Sequence, residues 1–273
     1  MTVLVTGVSG LVGARLLPRL VDAGMKCRAL VRGEQVLPPG VEAIQGDLFN
    51  PSSLELAVQG ASAVIHLAAV FRTPDTDLIW KSNLEGTRNL IEATKRCAPD
   101  ARFIFSSTSN VYDIDGSHPG REDDPVDPEQ AYPASKVAAE NALRESGLNW
   151  SVLRFAFVYG DRDGHIESLP KLVAQRVAQF HPAQRMSMVH HRDIATAVVL
   201  AVGGAMDGQI VNIADDAPTS LYELFEFVGE KMESSTAPLS NPWHLHMDTS
   251  RARRLGFQPS VRTVYQAAHE NLM

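Results

Sequence analysis

The sequence predicts an α/β protein, a doubly wound parallel sheet with helices on both faces and a small lobe built from the C-terminal third. Three observations carry this. Short β-branched runs alternate with helical stretches up to about residue 160. Three glycines, Gly7, Gly10 and Gly13, punctuate the junction between the first run and the first helix. After Tyr159 the rhythm loosens, with a turn-forming Asp161-Arg162-Asp163-Gly164 and later a proline-broken stretch at Ser235–Pro242.

The elements follow in order. Thr2–Thr6 is the first strand, and Leu11–Ala23 has helical period. Pro18 falls inside that helix, where a lost donor predicts a kink or an early end. Cys27–Val31, Val41–Gln45 and Ala61–Leu67 are strands two to four, and Leu78–Cys97 is one long helix. Arg102–Ser107 is the fifth strand, Pro133–Glu145 a helix and Ser151–Val158 the sixth strand. Ile194–Val202 reads as helix, Ile210–Ile213 as a returning strand and Leu221–Met232 as helix. The acidic, proline-rich Gly116–Pro128 is expected to be a surface loop near the site.

Composition narrows the function. The chain has 273 residues, 44% of them hydrophobic, enough for a real core in one large domain or one with an appendage. Its net charge of −7 leaves no electrostatic footprint for nucleic acid or an anionic membrane. No apolar run approaches the ~20 residues of a membrane span, and the N-terminal residues lack the zones of a signal peptide. Cys27 and Cys97 are the only cysteines, which suggests reduced thiols and a cytoplasmic setting.

The stretch Gly7-Val8-Ser9-Gly10-Leu11-Val12-Gly13 is a G-x-x-G-x-x-G turn from strand into helix. Gly7 permits the tight turn, Gly10 lets backbone approach a pyrophosphate, and Gly13 lets helix pack against strand. The helix N-terminus offers free N–H groups to phosphate. The expected fold is therefore a Rossmann-type sheet that binds a dinucleotide. Residues 1–160 form that domain, with a returning segment near 190–214, and 161–189 with 215–273 form the small C-terminal substrate-binding lobe. The second strand ends at Arg32 with no carboxylate, Glu34 lying beyond. An arginine there suits a 2′-phosphate, so NADP is favoured over NAD, although a plain surface charge is the alternative. Asp47, in Gly46-Asp47-Leu48, either reaches the adenine amino group or caps a helix before Ser52-Ser53.

Tyr132-Pro133-Ala134-Ser135-Lys136 places a phenol and an amine four residues apart on one helix face. A tyrosine near its reference pKa of ~10 is a poor base at neutral pH. An adjacent ammonium should lower that value and let Tyr132 exchange a proton with a carbonyl or alcohol oxygen as hydride moves.

Together these motifs resemble the extended short-chain dehydrogenase/reductase family, also called NAD-dependent epimerase/dehydratases. The likeness continues through His66-Leu67-Ala68-Ala69, Asn83-Leu84-Glu85-Gly86-Thr87-Arg88-Asn89-Leu90 and Phe105-Ser106-Ser107-Thr108-Ser109-Asn110-Val111-Tyr112. It extends to Leu153-Arg154-Phe155-Ala156-Phe157-Val158-Tyr159-Gly160, Val189–Ala195 and Asp248–Phe257. The resemblance implies that Thr108 polarises a substrate oxygen with Tyr132 and Lys136, and that Leu67, Ala68 and Ala69 contact cofactor. It also implies that Phe155 and Val158 line a nicotinamide pocket, that Ser106 and Asn83 support cofactor and catalytic helix, and that the chain is a homodimer. Two departures count against a nucleotide sugar: Phe157 stands where many such members carry a diphosphate-contacting Asn, and the second lobe is short. Asp113 follows Val111-Tyr112 where the family usually has Gly.

The remaining constellations are weaker. His190, His191 and Asp193 read as a structural strand-to-helix turn, His244 and His246 as surface, the methionines as core filling, and no metal is expected. The leading expectation is an NAD(P)-dependent oxidoreductase acting on a small, partly apolar carbonyl or alcohol. Its rivals are a nucleotide-sugar epimerase or dehydratase with tightly held NAD, and a non-catalytic dinucleotide sensor.

Overall fold

The computed structural model describes residues 1–174 and 180–273. The first half lays down β1 (Thr2–Thr6), α1 (Gly13–Asp22), β2 (Lys26–Val31), β3 (Glu42–Gln45), α2 (Pro51–Val58) and β4 (Ala63–His66). A helical run follows: α3 (Thr76–Trp80), a wider π turn over Lys81–Glu85, and α4 (Gly86–Cys97). Next come β5 (Arg102–Thr108), α5 (Ala131–Arg144), β6 (Asn149–Phe155) and β7 (Phe157–Tyr159). The last third holds α6 (Leu169–Ala174), β8 (Arg185–Met186), β9 (Met188–His190), α7 (His191–Val202) and β10 (Gln209–Ile213). It ends with β11 (Thr219–Ser220), α8 (Leu221–Phe227), α9 (Ser250–Arg254) and α10 (Val264–His269).

Seven strands form one parallel sheet in the order β3-β2-β1-β4-β5-β6-β10. Both faces are covered. Leu16, Leu17 and Leu20 of α1 share one core with Val198 and Ala201 of α7. Leu54 and Val58 of α2, Leu90 of α4 and Leu143 of α5 form the other. The central strands β1 and β4 are buried on both sides, as a doubly covered sheet requires, while the edge strand β3 is largely exposed. Strand order reverses between β1 and β4, so a crevice opens outside their C-terminal ends.

Several expectations are corrected. α1 does not end early at Pro18: it is helical from Gly13 to Asp22, with Leu16, Leu17 and Leu20 buried on either side of the proline. The long helix from Leu78 contains the π turn, which places Asn83 inward. The sixth strand divides at Ala156, whose N–H bonds Ile213. β6 stays in the main sheet while β7 leaves it to pair with β9. α8 stops at Phe227, two residues before Gly229 with its left-handed φ of +72°. Asp47 does not cap α2: Asn50 does, accepting from Ser53 N–H at 3.2 Å, while Asp47 accepts from Phe49 N–H at 2.7 Å.

Beyond the main sheet, β7 with β9 and β8 with β11 make two small two-stranded sheets. They share a third core with Ile166, Leu169, Leu224 and Val264. Residues 175–179, within the expected lobe, lie outside the described residues. Among the described residues no helix is long and apolar enough to cross a membrane.

Candidate active site

A cleft of about 2020 Å³ runs along the C-terminal ends of the strands. At one end the chain turns at Gly7, whose φ is +74°. A Cβ on Gly7 would lie 2.5 Å from the Ala68 nitrogen, and one on Gly13 2.2 Å from the Gly7 carbonyl oxygen. Both positions are closed by backbone, so only glycine fits. A Cβ on Gly10 would meet nothing nearer than that carbonyl, at 3.2 Å. Gly10 therefore keeps the cleft side clear, as a pyrophosphate requires. α1 has no side-chain cap and no acidic residue in its first turn, so its positive end is free for an anion. These features fit the phosphates of a dinucleotide.

Of the residues singled out from sequence, Gly7, Gly10, Leu11, Val12 and Gly13 line the cleft at this end, with Arg32, Asp47 and Leu48 beyond them. Arg32 and Asp47 are exposed. Leu67, Ala68, Ala69 and Ser106 line its floor, and Ser106 Oγ donates to the His66 carbonyl at 3.0 Å. Thr108, Tyr132, Lys136, Phe155 and Val158 line the far wall. Asn83 is the exception. It is buried behind the floor, accepting from Val70 N–H at 2.8 Å and donating to the Val70 carbonyl and to Ser135 Oγ, both at 3.0 Å. It braces the loop after β4 to α5 and does not face the cleft.

Thr108, Tyr132 and Lys136 come together. β5 ends at Thr108, whose hydroxyl accepts from Asn110 N–H at 3.2 Å and lines the cleft with Tyr132. One turn along α5, Lys136 is buried with its Nζ 4.0 Å from the Phe105 ring centre. The electrostatics differ from expectation. Burial pushes the Tyr132 phenol up to about 12, against the opposing pull of the Thr108 hydroxyl and the Arg72 charge. Burial lowers the Lys136 ammonium to about 7, against the pull of Glu140. The cation that acts on the phenol is thus Arg72, and Tyr132 is a protonated acid at neutral pH.

Beneath this trio lies a buried polar chain that sequence reading missed. Glu140, four residues after Lys136, takes two bonds from Arg154 at 3.1 and 2.7 Å and one from Ser107 Oγ. Arg154 also donates to the Tyr112 hydroxyl at 3.1 Å, which donates to Asn212 at 2.6 Å. Asn212 N–H donates to Glu122 at 2.9 Å. Glu122 is buried, so Gly116–Pro128 is a surface loop only in part: it is anchored to β10 and lines the cleft. The i, i+4 spacing of Lys136 and Glu140 was the available signal.

The histidines divide. His190 Nε2 donates to the Leu272 carbonyl at 2.9 Å. Asp193 accepts from Ser260 and Val261 N–H groups at 2.6 and 3.1 Å, so that turn is structural, as expected. His191 pairs with Asp163 at 2.8 Å, both buried. His244 and His246 are corrected: they are half-buried and line the cleft. His165, not singled out from sequence, lines it too. Among the described residues no three metal-ligating side chains converge.

The sequence matches the NAD dependent epimerase/dehydratase family over residues 3–214. The chain belongs to that family. It is 30% identical over 262 residues to a 4-hydroxy-2-methyl-3-oxo-4-farnesyl-3,4-dihydroquinoline-1-oxide ketoreductase of Stigmatella aurantiaca, covering 87% of this chain and 76% of that protein. It is 32% identical over 257 residues to an N-acetyl-alpha-D-glucosaminyl-diphospho-ditrans,octacis-undecaprenol 4-epimerase of Escherichia coli O157:H7, covering 90% and 76%. Its fold superimposes on MoeE5 in complex with UDP-glucose and NAD with a TM-score of 0.79, at 26% identity, covering 100% of this chain and 97% of that one. An Agrobacterium tumefaciens short-chain dehydrogenase/reductase superfamily protein with bound NAD shares the fold at a TM-score of 0.81, 24% identity, covering 99% and 95%. The expected dinucleotide-dependent oxidoreductase class is borne out, and membership of a family of enzymes sets the sensor reading aside.

Proposed function

We propose that the protein is an NADPH-linked reductase of small, partly apolar carbonyl compounds, with Tyr132 as general acid. The observation that carries this is the Thr108–Tyr132–Lys136 wall at the far end of a cleft that begins at the glycine turn. A nicotinamide dinucleotide bound along that cleft supplies the hydride. The chain's own residues do the rest. Thr108 and Tyr132 donate to the carbonyl oxygen and polarise it. Tyr132, held protonated, gives its proton to that oxygen as negative charge develops. Lys136 lies one turn along the same helix at the base of the site, and Glu140 holds that helix in register with β6 through Arg154.

The cofactor preference is part of the proposal. Arg32 stands exposed where β2 ends, beside Gly33 and the cleft, and suits a 2′-phosphate better than a free 2′-hydroxyl. The segments 161–189 and 215–273 would hold the substrate, since Leu169, Met186, Leu221 and Trp243 reach the cleft from them. A homodimer through α3 to α5 would cover the exposed Leu78 and Trp80. Two free thiols, at Cys27 and Cys97, suit a reducing, cytoplasmic compartment.

The test is a panel of aldehydes and ketones followed by loss of NADPH absorbance. A steady fall with at least one member, absent in Tyr132→Phe, is the expected result; no fall with any member counts against the reading. One observation favours redox-neutral epimerase chemistry instead, namely the match along 76% of an epimerase. That reading requires NAD retained through purification and stabilisation by a UDP- or dTDP-sugar.

A further inference from the structure

Two loops meet at the catalytic end of the cleft, and neither carries the group that gives up the proton. One follows β4 and carries Phe71 and Arg72, and the Phe71 ring lies 5.6 Å from that of Tyr132. The other follows β7 and carries His165. Arg72 has a left-handed φ of +59°, a conformation that costs a residue with a Cβ and needs a holding contact. That contact is His165: a guanidinium N–H donates to its Nε2. The imidazole can accept there because its Nδ1–H is committed to the Val158 carbonyl at 2.7 Å. Phe157, stacked on it at 4.2 Å and 19°, fixes the ring plane.

Arg72 is thereby aimed by a neutral partner. Among the described residues it has no carboxylate partner, unlike Arg19, Arg28, Arg102, Arg154, Arg251 and Arg262. The His165 contact occupies one of its five N–H donors. Both residues line the cleft, and the Arg72 charge reaches the Tyr132 phenol. A guanidinium fork held this way is suited to two parallel bonds with a carboxylate or phosphate.

We propose that Arg72, oriented by His165, forms an anion subsite that receives the carboxylate or phosphate of an acidic carbonyl substrate beside Tyr132. This deepens the reductase reading and rests on it. A phosphate of the dinucleotide itself has the same chemistry, so the test has two arms. Phenylglyoxylate and its methyl ester are titrated calorimetrically into protein loaded with NADP, which has no hydride to give. The acid should bind about tenfold tighter than the ester, and Arg72→Gln should bring the two within about twofold. In the second arm, NADP affinity should change by less than about twofold in that variant. Equal affinity for acid and ester in the native protein, or no measurable binding of the acid, overturns the subsite. So does a tenfold loss of NADP affinity in Arg72→Gln, which places the guanidinium on the dinucleotide. Turnover of the neutral ester with NADPH separates the two claims. If the ester is reduced but the acid has no advantage, the subsite fails alone. If the acid binds through Arg72 and neither compound is reduced with NADPH, the reductase reading fails alone.

Discussion

The two ends of the cleft are built from different materials. The glycine end is made of main chain: the tight turn at Gly7, the backbone contacts that exclude a Cβ at Gly7 and Gly13, and an uncapped helix terminus. The catalytic end is made of side chains that meet across different elements: Arg72 with His165, 93 positions on, and Glu140 of α5 with Arg154 of β6. A backbone site tolerates almost no change of residue type but says little about what binds beyond phosphate. A side-chain site can be retuned one residue at a time, so the substrate is decided there.

The sharpest break in that comparison is Tyr132→Phe. It removes one proton donor and leaves the glycine end untouched. Turnover should fall by about 10²–10⁴, with cofactor affinity measured by fluorescence titration nearly unchanged. The protonated phenol also sets the sign of the pH response. With its pKa near 12, the acid form dominates at neutrality. Reduction should therefore show no loss from this group between about pH 6 and 9, whereas oxidation of the product alcohol should climb as pH rises.

Next in size is the buried pair below. Glu140 and Arg154 are each 2% exposed in their side chains, so removing Glu140 leaves Arg154 charged, out of water and without its carboxylate, with only the Tyr112 hydroxyl to bond. Glu140→Ala should cost about 3–5 kcal/mol in urea unfolding. Replacing both by Leu and Met should recover much of this if the pair serves only stability. If that double variant is stable yet slow, the pair positions Lys136.

The same division explains what was legible in advance. Gly7, Gly10 and Gly13 declare themselves because backbone sterics dictate glycine at fixed spacing. Tyr132 and Lys136 do so because one helix carries both. Thr108 was found through family resemblance. His165 was missed because its role depends on a stack with Phe157 and a bond to Arg72, 93 positions away in the chain. Asp47 was misread as a possible cap because Asn50, three residues on, competes for the same task. Pro18 was overweighted because propensity says nothing of the leucines that pack around it.

Within the glycine end the comparison can be made finer. Gly13→Ala forces a methyl group to 2.2 Å from a carbonyl oxygen and 2.7 Å from the Val8 Cα, and neither can rotate away. The cost should be about 1–3 kcal/mol, visible as a lower Tm without cofactor. Gly10→Ala meets only one atom, at 3.2 Å, so its Tm should stay within about 2 °C of native. Its cofactor affinity should nevertheless drop, because the methyl group stands where the pyrophosphate must approach.

The smallest effect expected is the most informative about cofactor choice. Arg32 is exposed at the end of β2, so any bond it makes to a ligand is partly screened by water. Its removal should cost only about tenfold in affinity for NADPH. NADH has no 2′-phosphate, so Arg32→Ala should leave its affinity almost unaltered. The ratio of the two dissociation constants is therefore the measurement to make, at low salt where the contact is least screened. A ratio that moves by less than twofold would make Arg32 a surface charge and leave NAD the better candidate, because no carboxylate at that strand end is needed to bind NAD, only to prefer it.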